Sequence, residues 1–353
     1  MPADKKKEVV DLTLSLPEEK KIVGLDCGTM NVVSACRSKE GQVDTKLLRN
    51  VYLPIEANQL ALSELNNLDH VSDDKMIYII GEDAYRLANI FGHKVRRPMS
   101  QGLISSEDID SLDVLALMMD QLIGRAKNGF CVYSVPAPSV DKQNDITYHK
   151  GVFKRIFTEL GYTKCIEFNE SAAIIYSECE DNNFTGLAFS FGAGMTNVCL
   201  CYKSTSVLSF SVARGGDWID DCVSRSLAIV PNRVTSIKEN NTDLMNYMTG
   251  EKRERRIREA IAYYYKEMIN YTLENIKNKI SKELANVELP DALPIIISGG
   301  TSRAKGFHEL FSSILEEYRP NLPFQIKEIK VASDPMTAVA EGCLIKAISE
   351  QGA

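Results

Sequence analysis

The chain alternates short apolar runs with amphipathic stretches, an order that is typical of an α/β protein. Two apolar runs, residues 20–37 and 185–202, share one plan: an apolar strand enters a glycine-containing turn with a threonine, and a second apolar strand leaves it. Such an internal repeat predicts duplicated domains that face one another. Further strands are predicted at residues 131–138, which end in prolines, and at 293–300, which enter a glycine turn.

Helical periodicity predicts most of the segments between these strands. The longest helical stretch covers residues 253–283 and is preceded by a polar segment, 239–252, that we predict as a loop. One face of the long helix is apolar, and we interpret it as core packing rather than as a cofactor or partner site. That face consists of Ile257, Ile261, Tyr264, Met268 and Tyr271. The other predicted helices cover residues 111–126, 149–162, 170–179 and 333–348.

Composition narrows the class of protein. The 353 residues can build two buried cores, and 44% hydrophobic with 25% charged residues is ordinary for a soluble globular protein. A net charge of -7 argues against a general nucleic-acid binder. Nine cysteines without zinc-site spacing predict reduced thiols in a cytoplasmic protein. We find no signal peptide, no apolar run of about 20 residues and no bulky C-terminal amphipathic helix, so we expect neither a transmembrane segment nor peripheral membrane contact.

Three glycine turns carry the candidate chemistry. Residues 26–29 read Asp-Cys-Gly-Thr, residues 192–194 read Gly-Ala-Gly with Thr196 behind them, and residues 299–301 read Gly-Gly-Thr. Converging backbone N–H groups in such turns bind anions. The Asp26 carboxylate would repel phosphate unless Mg²⁺ lies between them, usually through water. One such turn is a weak signal, but three that each follow a buried strand predict a nucleotide site.

The wording and order of these motifs resemble the actin, sugar-kinase and heat-shock-chaperone ATPases, and most of all the bacterial actins of the MreB and MamK type. "GLDCGTMNVV" is similar to the first phosphate motif and "AFSFGAGMTNV" to the second. "IEFNESAAIIYS" resembles the helix between them, "IISGGTSRAKGF" the adenosine motif and "ASDPMTAVAEGCL" the C-terminal connecting segment. The resemblance spans residues 20–348.

This resemblance implies an actin-like α/β fold, in which two RNase-H-like domains form four subdomains around a cleft for ATP or ADP with Mg²⁺. The polar segment at 239–256 is too short for the apolar hairpin of relatives, so we expect a reduced small lobe in the second domain. The implied organisation is a flexible tail at 1–19, domain I at 20–169 with a small lobe at about 45–100, domain II at 170–353 with a small lobe at about 239–290, and a helix at 333–348 that packs back on domain I.

The resemblance also assigns residue roles. Asp26 would hold the water shell of Mg²⁺, and Glu170 would be the catalytic carboxylate that orients water, although an acid at a helix N-terminus is also favourable without catalysis. A structural turn at 215–217 and a solvated pair at 238–239 remain alternatives to nucleotide contact there. The implied nucleotide-binding residues are Gly28, Thr29, Asn31, Ser190, Gly192, Gly194, Thr196, Gly215, Gly216, Asp217, Lys238, Glu239, Gly299, Gly300 and Thr301.

One departure bears directly on hydrolysis. Ser190 stands where family members have an aspartate, and a neutral hydroxyl neither neutralises Mg²⁺ nor accepts a proton readily. We therefore expect slow hydrolysis rather than none, because Glu170 remains. The resulting hypothesis is a cytoskeletal ATPase that forms a homopolymer filament, with an adaptor protein as a candidate partner. A non-hydrolysing scaffold or adaptor and a small-molecule kinase are the alternatives.

Overall fold

The computed structural model describes residues 18–19, 21–38, 40–56, 67–72, 76–91, 93–105, 110–141, 146–248, 251–284 and 288–351. Of the predicted tail, residues 1–17 lie outside the described residues. Glu18–Glu19 form a short strand that pairs in parallel with Ala126–Lys127, so the last two residues of the predicted tail already belong to a sheet.

Strands and helices alternate along the chain. The strands are β1 (Glu18–Glu19), β2 (Ile22–Cys27), β3 (Asn31–Arg37), β4 (Val43–Arg49), β5 (Tyr52–Glu56), β6 (His70–Ser72), β7 (Met76–Ile80), β8 (Met99–Ser100), β9 (Leu103–Ile104), β10 (Ala126–Lys127), β11 (Gly129–Val135), β12 (Tyr162–Asn169), β13 (Gly186–Phe191), β14 (Thr196–Tyr202), β15 (Thr205–Val212), β16 (Ala292–Ser298) and β17 (Gln325–Val331). The helices are α1 (Gly81–Phe91), α2 (Ser111–Ile123), α3 (Ile146–Glu159), α4 (Glu170–Glu178), α5 (Gly216–Leu227), α6 (Pro231–Asn240), α7 (Lys252–Glu283), α8 (Phe307–Tyr318) and α9 (Ala338–Ser349).

Two five-stranded sheets have the same topology. Their strand orders are β4-β3-β2-β11-β12 and β15-β14-β13-β16-β17. In each sheet the first three strands of the half pair antiparallel, and the two later strands add in parallel beside the first. The internal repeat predicted from the sequence is therefore confirmed as two copies of one sheet.

The helices α4 and α9 lie between the two halves. The helix α9 packs on α4 and on β2 and β11 of the first sheet, whereas α4 also packs on β13 and β14 of the second. Close approach requires glycine: a Cβ at Gly342 would overlap the carbonyl oxygen of Ala173, and one at Gly24 would overlap the backbone of α9. The prediction placed the start of α9 at residue 333. The helix begins only at Ala338, because the Asp334 carboxylate and carbonyl accept the N–H groups of Met336 and Thr337 and form a turn.

The first half carries a smaller lobe with an apolar core of its own. In the first half, β5, β7 and β6 form an antiparallel sheet that packs against α1. In the second half, the described residues between 228 and 291 contain α6 and α7 but no strand. The predicted loop at 239–252 is partly wrong, because α6 continues to Asn240 before the chain turns; residues 249–250 lie outside the described residues.

The long helix α7 confirms the predicted helical stretch and most of its core face. Ile257, Ile261 and Met268 are buried, whereas Tyr264 and Tyr271 are half-buried at the edge and Tyr265 occupies the core instead. All nine cysteines are free, and seven of them are buried. Within the described part of the chain, no helix combines the length and apolar composition needed to cross a membrane.

Candidate functional site: a cleft between the two sheets

A cleft of about 630 Å³ opens between the two halves, a volume within the range of small-molecule pockets. Its walls come from both sheets, because the carboxyl ends of β2, β13 and β16 meet there. Most residues predicted from the sequence line it: Asp26, Gly28, Thr29, Asn31, Glu170, Ser190, Gly192, Gly194, Gly216, Lys238, Glu239, Gly299, Gly300 and Thr301.

Asp26 ends the buried strand β2 and faces this cleft. Its Oδ1 accepts a hydrogen bond of 2.9 Å from Ser134 Oγ, which itself accepts one of 2.9 Å from the N–H of Cys27. Burial raises the pKa of Asp26 to about 6, against the lowering effect of the Ser134 hydrogen bond. The Ser134 hydrogen bond thus holds the Asp26 carboxyl group in place but offsets only part of the cost of burying its negative charge.

Glu170 begins α4, which Asn169 caps by accepting the N–H of Ala172 at 3.0 Å. Ser190 Oγ donates to Glu170 Oε1 at 2.6 Å, and Asn197 Nδ2 donates to Oε2 at 2.9 Å. Burial and the nearby charge of Asp26 raise the pKa of Glu170 to about 8, although both hydrogen bonds lower it. The Ser190 hydroxyl therefore orients the Glu170 carboxylate.

The first glycine turn joins β2 to β3. Asn50, buried between β4 and β5, donates from Nδ2 to the Gly28 carbonyl at 3.0 Å, and its N–H donates to the Met30 carbonyl at 2.7 Å. The Thr29 hydroxyl accepts the N–H of Gly102 at 2.9 Å. The turn is thus held from behind by Asn50 and from one side by the β8–β9 hairpin.

The second glycine turn joins β13 to β14 and is held in a similar way. The Gly192 carbonyl accepts from Thr301 Oγ1 at 2.9 Å and from the Gly216 N–H at 3.0 Å. The Ala193 carbonyl accepts the N–H of Asp217 at 2.9 Å. Because C=O and N–H point in opposite directions in a trans peptide, the N–H groups of Ala193 and Gly194 face away from these partners.

Three predicted residues do not line the cleft. Thr196 is fully buried and donates its hydroxyl to the Arg214 carbonyl at 2.7 Å. Gly215 packs behind the second turn, where a Cβ would press on the Ala193 carbonyl oxygen. Asp217 pairs across the two halves with Arg97 at 2.9 Å. These residues shape or brace the site instead of facing its interior.

Lys238 and Glu239 lie at the end of α6, in the cleft wall. Lys238 is buried and donates to Asp220 Oδ2 and to the Gly216 carbonyl, each at 2.8 Å. Glu239 is partly exposed and lies 3.6 Å from Arg49 of the opposite half. A solvated pair is therefore the wrong description of Lys238, whereas Glu239 keeps contact with solvent.

Several site residues were missed by sequence reasoning. Asn197 stands inside the second motif and Ser134 inside the strand before "PAP", so both could have been found as polar positions in buried strands. Asn50 and Arg49 carry no local signal, because they reach the site only through the pairing of β4 with β3.

A divalent cation fits this site only together with a ligand. The described residues contain no group of three or more His, Cys, Asp or Glu side chains that could hold a metal. Asp26 and Glu170 supply two carboxyl groups whose pKa values are raised by burial, which a cation would offset. Mg²⁺ usually takes one or two carboxylates and completes its shell with water and phosphate oxygens.

Comparisons with known proteins agree with this architecture. Several solved structures match: a MamK double helical filament (16% identity, TM-score 0.65, 94% of this chain and 99% of that chain), MreB5 of Spiroplasma citri bound to AMPPNP (16%, 0.67, 96% and 100%) and the ethanolamine utilization protein EutJ from Carboxydothermus hydrogenoformans (18%, 0.53, 94% and 90%). They show an actin-like fold and confirm the predicted fold class. No functionally curated protein matches the chain. Residues 22–347 match the family model described as Volactin, and the chain therefore belongs to the Volactin family.

Proposed function

We propose that this chain is an actin-like cytoskeletal protein that binds ATP or ADP with Mg²⁺ in the cleft, assembles into homopolymer filaments and hydrolyses ATP slowly. One observation carries the proposal: two glycine turns, one from each half, line the same cleft with their carbonyl groups held from behind. Turns in this state offer N–H groups to an anion. A chain of phosphates that touches both turns would join the two halves.

The remaining cleft residues suit a nucleotide. Asp26, fixed by Ser134, would hold the water shell of Mg²⁺, and the ion would supply charge neutralisation for the phosphates. Gly299, with a φ of +94°, packs its backbone against Phe191 and leads into the 3-10 helix Gly300–Arg303. Gly299 and Gly300 both line the cleft, and a Cβ at Gly300 would meet only the Met336 side chain within 4 Å, so we assign the flat base to this wall.

Slow hydrolysis follows from how Glu170 is held. Ser190 and Asn197 fix both carboxylate oxygens, so Glu170 can orient one water molecule. Ser190 adds no negative charge beside the cation, however, and loss of one such electrostatic group costs about 10²–10³-fold in rate. We assign Glu170 as the catalytic residue on this basis.

Assembly is supported by the fold and by its similarity to MamK, whose matching structure is a double helical filament. We propose a homopolymer, an adaptor protein as a further partner and a cytoplasmic location, in keeping with nine free cysteines. We also propose the domain limits 20–169 and 170–353, with α9 closing back on the first sheet.

Calorimetric titration with Mg-ATP, Mg-ADP and adenosine tests nucleotide binding. The wild-type protein should bind both nucleotides, and Asp26→Asn should lose most of the Mg²⁺ dependence of that binding. The matched control is Asp181→Asn, which removes an exposed carboxylate on a 3-10 turn outside the cleft. The proposal fails if the wild-type protein binds no nucleotide, or if the two variants behave alike.

A further inference from the structure

Asn50 lies between β4 and β5, next to the first glycine turn. It is polar but has no exposed surface. Two of its atoms reach the turn, because Nδ2 donates to the Gly28 carbonyl at 3.0 Å and the backbone N–H donates to the Met30 carbonyl at 2.7 Å. One residue therefore holds alternate carbonyl groups of the turn on the same side.

These two contacts also determine where the neighbouring backbone N–H groups point. In a planar trans peptide the N–H of the following residue points opposite to the carbonyl. Because the carbonyls of Gly28 and Met30 face Asn50, the N–H groups of Thr29 and Asn31 face away from it. Thr29 and Asn31 are also lining residues of the cleft. Two backbone donors are thereby set toward one anion position.

The Asn50 side chain is costly to bury for packing alone. Its Oδ1 atom is buried without a hydrogen-bond partner among the described residues. A buried acceptor without a partner is destabilising, and an apolar side chain of similar size would avoid that penalty. The Nδ2 donor to Gly28 is the feature that an apolar residue could not supply.

We propose that Asn50 is a positioning residue for phosphate: it presets the Thr29 and Asn31 amides of the first turn so that they bind the phosphate chain. The inference rests on the proposed function only in assuming that these phosphates belong to a nucleotide. Donor groups that are already oriented increase the affinity for phosphate, because no free energy is lost in ordering them when the ligand binds. Asn50 is expected to affect ligands in proportion to their phosphates and to leave recognition of the base unchanged.

The test compares phosphate-bearing and phosphate-free ligands. Wild-type protein, Asn50→Asp and Asn50→Ala are titrated with Mg-ATP, tripolyphosphate and adenosine. Both variants keep the backbone bond to Met30, and the nearly isosteric aspartate supplies the result if the alanine variant does not fold. The matched control is Asn275→Ala, which removes a similar 2.8 Å bond from Nδ2 to the Tyr271 carbonyl on α7. Amide NMR of residues 28–31 in nucleotide-free protein gives a second readout.

The Asn50 variants should bind Mg-ATP and tripolyphosphate about tenfold more weakly, bind adenosine within about twofold of wild type and shift the amide signals of the turn. Asn275→Ala should change none of these. Equal losses for adenosine and Mg-ATP would overturn the inference, as would unchanged Mg-ATP affinity in a folded variant. Tripolyphosphate binding that depends on Asn50 without any ATP binding would uphold the inference while the nucleotide function fails. If wild type binds neither phosphate ligand, both fail.

Discussion

The two carboxyl groups in the cleft share an unfavourable environment when no cation is bound. Burial raises the pKa of both Asp26 and Glu170, and the charge of Asp26 adds to the effect on Glu170. Ser134, Ser190 and Asn197 donate hydrogen bonds that offset only part of this effect. At the residue scale the site therefore holds buried carboxyl groups whose negative charge is destabilising and would be offset by a bound cation.

The stability of nucleotide-free protein should depend on pH through Glu170. Its pKa in the folded state, about 8, lies above the ordinary value of 4.5, so the folded protein binds more protons than the unfolded chain between these values. The stabilisation that protonated Glu170 gives the folded state is fully present below pH 4.5 and is lost as pH rises through 8. Urea unfolding should show the wild-type protein losing about 1–3 kcal/mol between pH 6 and 8.5, and Glu170→Gln should remove most of this loss. Glu309→Gln, on the exposed side of α8, is the control, and an equal slope in all three proteins would contradict the argument.

Ser190→Asp tests why hydrolysis is expected to be slow. Without Mg²⁺ the new carboxylate would lie against Glu170, where Ser190 now donates at 2.6 Å, and should destabilise the protein at neutral pH. With Mg-ATP it adds negative charge beside the cation and should speed phosphate release at least about tenfold in single-turnover assays. Ser190→Ala should not speed it. An unchanged rate in the aspartate variant would show that residue 190 does not limit the reaction.

At the element scale, the helices α4 and α9 pack so closely that glycine is required at their contact. A Cβ at Gly342 would overlap the Ala173 carbonyl oxygen, which is backbone and cannot move aside without shifting α4. Since Glu170 is the first residue of α4, this contact also fixes the position of the Glu170 carboxylate in the cleft.

Replacing Gly342 by alanine should therefore cost about 1–3 kcal/mol in urea unfolding. Gly151→Ala in α3 is the matched control, because a Cβ there meets no atom within 4 Å. It should be neutral or stabilise by up to about 1 kcal/mol through helix propensity. A Gly342→Ala variant as stable as the control would show that α4 and α9 can separate freely.

The sequence predicted the parts of the site that follow a local rule. Each glycine turn comes directly after an apolar strand, so the ends of β2, β13 and β16 could be placed without knowing the fold. Asn50 and Arg49 could not be placed, since they reach the site only through the pairing of β4 with β3, two segments with no local signal for it. Asp217 belongs to the "GGD" turn but pairs with Arg97 of the other half, a contact that only the tertiary arrangement brings about.

At the scale of the whole molecule, charged contacts cross between the halves. Arg97 pairs with Asp217 behind the second turn, and the N–H of Ala213 donates to the Asp141 carboxylate. Arg49 lies over the ring of Tyr85, donates to Glu82 at 3.1 Å and reaches Glu239 on α6 of the second half. Arg49 and Glu239 both line the cleft, so separating the halves breaks this pair.

A double-mutant cycle with Arg49→Met and Glu239→Gln should reveal this contact in the rate of nucleotide release. Each single variant should release a fluorescent ATP analogue about two- to fivefold faster than wild type. The double variant should be little faster than either, with a coupling of about 0.5–1 kcal/mol that weakens with added salt. Additive effects would mean that the pair does not restrain opening of the cleft.

The most direct test of the account combines sedimentation, negative-stain imaging and phosphate release in the same tubes, with ATP, ADP or no nucleotide. We expect filaments that require ATP, accompanied by slow phosphate release that Glu170→Gln abolishes while filaments still form. A protein that stays monomeric in every condition and releases no phosphate, with ATP recovered intact from its cleft, would contradict the cytoskeletal ATPase and leave a nucleotide-bound scaffold in its place.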